Sequence, residues 1–175
     1  PSNKSVMKDR GVFSAEDYSG SNIHFGIREH AMAAIANGMS VHGGVRPYVA
    51  TFFVFTDYMK AAMRLSALMK QPVIYILTHD SIGVGEDGPT HQPIEHLAAI
   101  RSIPNFTVIR PADSRETAAA YLAALTRSDS PTALVLTRQN LPQLEGTGPD
   151  ALKGAYILPD SEKGTPDIIL MDSGS

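Results

Sequence analysis

Apolar, strand-like runs alternate along this chain with segments of helical period. Strands are predicted at residues 21–26, 48–51, 73–78, 106–109 and 132–136. Helices are predicted at residues 28–42, 52–69, 94–100 and 113–127. This alternation is typical of α/β proteins, so we expect a doubly wound, mostly parallel sheet with helices on both faces. Asp113 is expected to cap the last helix in a capping box with Glu116.

The end of the chain has a different character. Residues 140–165 are rich in Pro, Gly, Asp and Lys and lack sustained periodicity, which is typical of a linker. Residues 167–171 are predicted to form a lone strand, which cannot bury itself. We therefore expect a main domain over residues 1–144, an interdomain linker over residues 145–166 and the first strand of a truncated domain over residues 167–175. Because the first residue is Pro1 and no signal-like segment follows, we expect the chain to be part of a longer protein.

Composition narrows the classes of protein. With 175 residues, 43% of them hydrophobic and 19% charged, the chain is long enough to bury one core and has no disordered bias. The absence of Cys excludes disulfides and thiolate zinc sites. A net charge of −3 gives no general attraction for nucleic acid, and no apolar run approaches the roughly 20 residues that span a bilayer. We expect a cytoplasmic protein that binds neither nucleic acid nor membrane.

The segment Thr78–Pro93, THDSIGVGEDGPTHQP, is the most informative part of the sequence. It places His79 directly after an apolar strand, at the carboxyl end where open α/β sheets bind ligands. Glu29 follows the predicted strand that ends at Gly26, and Arg138 follows the one that ends at residue 136. We therefore expect Glu29, His79 and Arg138 to face the same edge of the sheet.

Each candidate side chain also has a purely structural explanation. Glu29 lies in a predicted first turn, where a carboxylate favours the helix dipole by about 0.3–1 kcal/mol. His79 and His91 are loop residues, which often only form hydrogen bonds, and Asp87 precedes a Gly, a pair that is common in turns. Arg138 stands at a strand end, where Arg is often solvated, and aromatic residues spaced by three on a helix, as Phe52, Phe55 and Tyr58 are, usually pack in a core.

Other kinds of site have little support. His79, Asp80 and His91 could be metal ligands, but they form no His-x-x-x-His pair, and their spacing is weak evidence for zinc. The sequence has no Walker phosphate loop and no Gly-x-Ser-x-Gly elbow.

Four segments in consistent order carry a family resemblance: FGIREHAM at 25–32, TFFVF at 51–55, the run Thr78–Pro93, and TRQNLPQL at 137–144. Together they resemble the pyrimidine-binding domain of transketolase over residues 1–144, lacking its first segment. The remainder resembles that family's linker and the first strand of its third domain. Arg-Glu-His alone is a weak signal, whereas the sixteen-residue run is highly specific.

The resemblance implies thiamine diphosphate as cofactor. Glu29 matches the carboxyl group that hydrogen-bonds pyrimidine N1′ and thereby promotes loss of the thiazolium C2 proton. Phe52, Phe55 and Tyr58 match the aromatic pocket around the aminopyrimidine, where stacking gives orientation.

The resemblance also implies a sugar-phosphate site. Ser2, His79 and Arg138 match residues around the substrate's terminal phosphate, for which a guanidinium fork is suited. Asp87 matches the acceptor of a hydrogen bond from the substrate's C2 hydroxyl. His91 matches a catalytic residue beside the cofactor's reactive carbon and the transferred ketol.

The implied activity is transfer of a two-carbon ketol unit from a ketose phosphate to an aldose phosphate. In this family Mg²⁺ or Ca²⁺ is bound by a diphosphate-binding domain that this chain lacks, so no metal ligand is expected here. Each active site lies between the two subunits of a homodimer, and we expect the chain alone to be inactive. The open alternatives are dihydroxyacetone synthase, deoxyxylulose-phosphate synthase or another thiamine enzyme, and a non-catalytic regulatory or assembly subunit.

Overall fold

A parallel sheet of four strands lies at the centre of the computed structural model, which describes residues 5–158 and 164–174. The strands are β1 (Tyr48–Phe52), β2 (Ile74–Thr78), β3 (Thr107–Ile109) and β4 (Thr132–Val135). Their order in the sheet is β1-β2-β4-β3, and each neighbouring pair is parallel. The predicted α/β fold with a parallel sheet is therefore confirmed, and the carboxyl ends of the strands share one edge.

Helices cover both faces of this sheet. They are α1 (Glu29–His42), α2 (Thr56–Leu68), α3 (His96–Arg101) and α4 (Ser114–Thr126). On one face, Tyr75 and Leu77 of β2 are buried in a cluster with residues of α1, α2 and α3. On the other face, Ile74 and Ile76 pack against α4. Because successive β2 side chains alternate between two buried faces, the strand is apolar throughout, and the prediction of a doubly wound sheet is confirmed.

The prediction of a strand at residues 21–26 is wrong. Among the described residues, this segment makes only an isolated bridge between Val12 and Asn22. The Asn22 side chain donates to the carbonyl oxygens of Met7 and Gly11, each at 2.9 Å, and so links neighbouring turns. Gly26 then takes a positive φ of 66°, which ends any extended run. Backbone pairing is therefore limited to this short bridge, which the Asn22 side chain supports, and Glu29 follows an irregular segment instead of a strand.

The predicted helix over residues 52–69 is divided. Phe52 is the last residue of β1, Phe53–Phe55 forms a 3₁₀ turn, and α2 begins only at Thr56. The Thr56 hydroxyl donates to the Phe53 carbonyl at 2.8 Å and fastens the turn to the helix. The other helix and strand boundaries differ from prediction by one or two residues, which is the usual uncertainty at element ends.

The residues after β4 contain no strand in the described part of the chain. Residues 167–171, predicted as a strand, are irregular, and Leu170 and Met171 are 91% and 92% exposed. Among the described residues no strand pairs with this segment, so its assignment as the first strand of a further domain stays a prediction. The division into main domain, linker and further domain stays a prediction.

Within residues 5–158 and 164–174, none of the helices is both long and apolar enough to span a bilayer.

Asp113 caps α4 as predicted, since its carboxylate accepts a hydrogen bond from the Glu116 N–H at 3.0 Å. The return bond of the capping box is displaced by one residue: Glu116 accepts from the Ala112 N–H at 2.7 Å. The second carboxylate oxygen of Asp113 accepts from Leu144 N at 3.1 Å and from the Thr147 hydroxyl at 2.5 Å. One buried carboxylate thus joins the start of α4 to the segment that follows the sheet.

Candidate functional site

The carboxyl end of β2 positions His79. The strand is buried up to Leu77, and His79 then adopts a φ of +61°, a left-handed conformation that is uncommon for a residue with a Cβ. Its Nδ1 lies 2.9 Å from the Thr78 hydroxyl oxygen. Backbone strain of this kind collects at functional sites because the surrounding structure must hold it in place.

An aromatic cluster surrounds His79 and consists of Phe52, Phe55, Tyr58, His79 and His91. The His79 ring stacks on Phe52 with 3.6 Å between centroids and 19° between planes. Phe52 and Phe55 are nearly parallel, at 5.9 Å and 9°, and Phe55 contacts Tyr58 at 6.1 Å. The His91 ring meets Phe55 edge-on at 5.4 Å and Phe52 at 6.3 Å. The structure therefore brings together five residues that the sequence predicts to belong to one site.

Burial and neighbouring charged groups both shift the pKa of His79. Burial is the largest influence and lowers the pKa of His79 below its usual 6.5. Asp87 opposes this and raises the pKa, while the positive charge of Arg138 lowers it further. His91 also lowers the pKa and Asp80 raises it. Asp87 and Arg138 thus lie within electrostatic range of His79, which agrees with their predicted place in the same site.

A glycine-containing 3₁₀ segment, Ile82–Asp87, carries Asp87. Val84 is buried and anchors this segment, and Gly85 interrupts it with a φ of +80°. Asp87 itself is exposed. Arg138 is also exposed and lies above this turn, because a Cβ added to Gly85 would be 3.8 Å from the Arg138 Nη1. An acidic and a basic side chain therefore reach solvent on the same side of the sheet edge.

Glu29 is the first residue of α1 and is partly exposed. Its carboxylate takes part in no hydrogen bond or ion pair with the residues that the structure describes, and no ring contact joins it to the aromatic cluster. The preceding Arg28 turns back and donates to the Phe25 carbonyl at 2.7 Å. Glu29 is therefore available to a ligand, although the structure does not bring it into contact with His79 or Arg138. Ser2, the remaining predicted residue, lies outside the described residues.

Three further polar residues at this edge are missing from the sequence prediction of the ligand-binding residues. Asp80 is buried and accepts a hydrogen bond from Arg110 Nε at 2.7 Å. Arg110 in turn donates to the Ser173 carbonyl at 2.7 Å. The available signal was positional, because Arg110 directly follows the end of β3 as His79 follows the end of β2. Gln139 was likewise missed, although it stands beside Arg138 in a quoted motif.

The possible metal ligands are arranged differently from the sequence expectation. In the described ranges, His79, Asp80 and His91 do not form a group of three close ligand atoms. The three residues with ligand atoms within 4.8 Å of one another are Asp57, Glu95 and His96. His96 Nε2 lies 3.1 Å from Asp57 Oδ2, an ion pair if the imidazole is protonated, and this links α3 to α2. These residues are outside the aromatic cluster.

Comparison with known proteins gives consistent matches. The family model described as "Transketolase, pyrimidine binding domain" matches residues 1–143. The transketolase of Bacillus subtilis (strain 168) is 57% identical over 178 residues, which cover 99% of this chain and 27% of that protein. This chain therefore spans about a quarter of the length of the curated relatives it matches.

Solved structures agree with this. A transketolase of Pichia stipitis in complex with sedoheptulose-7-phosphate superposes with a TM-score of 0.89 at 50% identity, over 93% of this chain and 25% of that one. A structure described as a split gene transketolase, an inactive beta4 tetramer, matches with a TM-score of 0.59 at 32% identity, over 71% of this chain and 38% of that one.

Proposed function

Because the chain belongs to the transketolase pyrimidine-binding domain family, we propose that it is the part of a transketolase that binds the cofactor's pyrimidine and the sugar phosphate. The activity is transfer of a two-carbon ketol unit from a ketose phosphate to an aldose phosphate. This proposal rests on one observation. A single aromatic cluster at the carboxyl edge of the sheet contains Phe52, Phe55, Tyr58, His79 and His91. Family membership supports thiamine diphosphate as the cofactor.

The residues present fit this cofactor. Phe55 is partly exposed and Tyr58 is 67% exposed, so both offer aromatic surface to a planar ring. We propose that Phe52, Phe55 and Tyr58 hold the aminopyrimidine and that the Glu29 carboxylate hydrogen-bonds its ring nitrogen. When bound, thiamine diphosphate supplies a nucleophilic thiazolium carbon and an electron sink. The residues of this chain orient the ring and hold a proton at its nitrogen.

The sugar phosphate is bound by charge and by hydrogen bonds. Arg138 can donate two parallel hydrogen bonds to phosphate oxygens, and His79 adds a ring N–H beside it. The lowered pKa of His79 means that this ring is mostly neutral near pH 7 and acts as a donor without a full charge. We assign Ser2 to the same clamp. Asp87 accepts a hydrogen bond from the substrate's C2 hydroxyl, and His91 lies beside the transferred ketol.

The remaining parts of the enzyme come from outside this chain. We propose that a separate diphosphate-binding domain holds Mg²⁺ or Ca²⁺ and that the active site lies between the subunits of a cytoplasmic homodimer. On this proposal the chain alone is inactive. Two observations support it: the chain spans about a quarter of its relatives' length, and the similar split gene transketolase is described as an inactive tetramer.

The experiment is a two-acceptor assay of the complete protein that contains this chain, purified free of cofactor. Xylulose 5-phosphate is the donor, and either ribose 5-phosphate or formaldehyde is the acceptor. We expect sedoheptulose 7-phosphate to form only when thiamine diphosphate and Mg²⁺ are added. Transfer to formaldehyde but not to ribose 5-phosphate would instead identify a dihydroxyacetone synthase. Transfer to neither acceptor would contradict ketol transfer and leave deoxyxylulose-phosphate synthase, another thiamine enzyme, or a regulatory or assembly subunit.

A further inference from the structure

A glutamine side chain joins the two loops that carry Asp87 and Arg138. Gln139 Nε2 donates a hydrogen bond to the Gly83 carbonyl at 2.5 Å. The other end of the same amide, Oε1, accepts from the Thr137 hydroxyl. Both ends of the amide are therefore used, so its orientation is fixed between the segment after β2 and the segment after β4.

Gly83 packs tightly against the Gln139 side chain. A Cβ added to Gly83 would lie 1.5 Å from Gln139 Nε2, so the position has no room for a side chain while Gln139 stays in place. The Gly83 N–H donates to the Ser81 hydroxyl at 3.2 Å. The N–H and C=O of Gly83 are thus both bound by side chains, one from its own loop and one from the loop after β4.

The contact lies between the two residues that we assign to the substrate. Arg138 immediately precedes Gln139 and lies above Gly85, with Nη1 3.8 Å from a Cβ added there. From Gly83 the chain passes through the buried Val84 and the φ of +80° at Gly85 before it reaches Asp87. Fixing Gly83 to Gln139 therefore fixes Asp87 relative to Arg138, although Gln139 itself is a neutral amide held by protein groups.

We propose that Gln139 is a positioning residue. It holds the Asp87 loop in a fixed position relative to Arg138, so that Asp87 and Arg138 bind the substrate's hydroxyl and phosphate at the same time. This inference rests on the proposed function of the same site. A displacement of about 1 Å at such a site can cost on the order of a hundredfold in rate. The role is thus one of geometry, and its loss changes selectivity as well as activity.

Three variants of the complete protein test this. Gln139→Ala removes the amide, and Gln139→Glu keeps the length but puts a carboxylate oxygen against the Gly83 carbonyl. Gly83→Ala displaces the flexible end of Gln139 from the opposite side. The matched control is Gln143→Ala, because the Gln143 amide donates to Asp113 instead of to the loop.

Two measurements are made on each variant. Hydrogen exchange of the peptide covering residues 82–88 reports whether the loop opens, and we expect exchange to be roughly tenfold faster in all three variants. The ratio of kcat/KM for D-glyceraldehyde over L-glyceraldehyde as acceptor reports the position of Asp87. We expect this ratio to fall on the order of tenfold, with no change in either measurement for the control.

The outcomes separate the two proposals. Faster loop exchange with an unchanged enantiomer ratio would overturn the positioning role and leave Gln139 as a structural contact. Unchanged exchange and an unchanged ratio would overturn the inference altogether. If the unmodified protein transfers no ketol unit to any acceptor, the proposed function fails, and with it the positioning role in that reaction, while the exchange data still test the contact itself.

Discussion

The His79 ring stacks on Phe52 because the two residues come from neighbouring strand ends in fixed register. Phe52 pairs with Thr78 in the parallel ladder of β1 and β2, and His79 is the next residue. The positive φ of His79 then turns its ring over Phe52, with 3.6 Å between centroids. The aromatic cluster therefore depends on the sheet register, which the buried apolar strands fix.

We predict that His79 titrates below its usual pKa of 6.5, because burial disfavours its charged form. Between the folded and the unfolded pKa, the unfolded chain binds more protons at this residue than the folded one. The contribution of His79 to stability therefore decreases as the pH falls from about 6.5 and levels off below the folded pKa. An NMR titration of the imidazole measures the folded value directly.

Two substitutions should move this pKa in opposite directions. Asp87 raises the pKa of His79, so Asp87→Asn should lower it further, whereas Arg138→Ala should raise it. The control is Glu145→Gln, because Glu145 is exposed and is not among the groups that shift the pKa of His79. Shifts in the same direction for both substitutions would mean that Asp87 and Arg138 do not lie around His79 as the structure has them.

The sequence allowed the sheet to be predicted because buried parallel strands are apolar along their whole length, as Ile74–Thr78 is. Residues 21–26 misled the prediction because their side-chain hydrogen bonds cannot be read from hydrophobicity. The residues of the aromatic cluster were found through a family resemblance. Position alone pointed to Arg110 and Gln139, but their contacts with Asp80 and Gly83 depend on loop conformations that no local periodicity encodes.

We predict that Asp113→Ala loosens both α4 and the segment that follows β4. The buried carboxylate caps α4 and accepts from Leu144 and Thr147, so its loss leaves several donors unpaired. The local opening free energy should fall by about 2–4 kcal/mol. Hydrogen exchange of residues 114–120 and 143–147 measures this. The control is Asp150→Ala, an exposed partner of Lys153 that should change little. Equal protection in both variants would contradict the structural role of Asp113.

The same carboxylate gives a second pH dependence. Burial acts to raise the pKa of Asp113, but hydrogen bonds from Glu116, Thr147 and Leu144 outweigh it and hold the pKa below 3.8. A lowered folded pKa stabilises the folded state above the unfolded pKa, and this stability is lost as the pH falls through the folded value. Acid loosening of α4 should therefore be weaker in Asp113→Ala than in the unmodified protein.

We predict that Glu29→Ala in the complete protein abolishes activation of the cofactor while the fold is kept. The carboxylate is partly exposed and has no protein partner among the described residues, so its removal should not disturb packing. The measurement is hydrogen–deuterium exchange of the thiazolium C2 proton in the loaded protein. The control is Glu16→Gln, because Glu16 is exposed and contacts Ser14 of its own turn. An undiminished exchange rate in Glu29→Ala would exclude the proposed role.

The isolated chain should show no ketol transfer between xylulose and ribose phosphates and only weak thiamine diphosphate binding. On our proposal the ligands of the diphosphate and its metal lie outside this chain, which spans about a quarter of its relatives' length. Calorimetric titration and a coupled assay of the rigorously purified 175-residue chain provide the measurement. Robust Mg²⁺-dependent turnover by this chain would contradict the proposal that its active site is completed by other domains.

Arg138→Ala tests the phosphate clamp. If the guanidinium contacts the substrate's phosphate and not the cofactor, the variant of the complete protein should have a raised KM for phosphorylated sugars. Loss of one charge-assisted contact costs roughly 1.5–3 kcal/mol, or on the order of ten- to a hundredfold in kcat/KM. Activity on hydroxypyruvate, an unphosphorylated donor, should change far less. Arg127→Ala is a matched control, because Arg127 is exposed at the far end of α4. An equal loss on both donors would instead place Arg138 in structural or cofactor support, and would weaken the assignment of His79 and Ser2 to the same clamp.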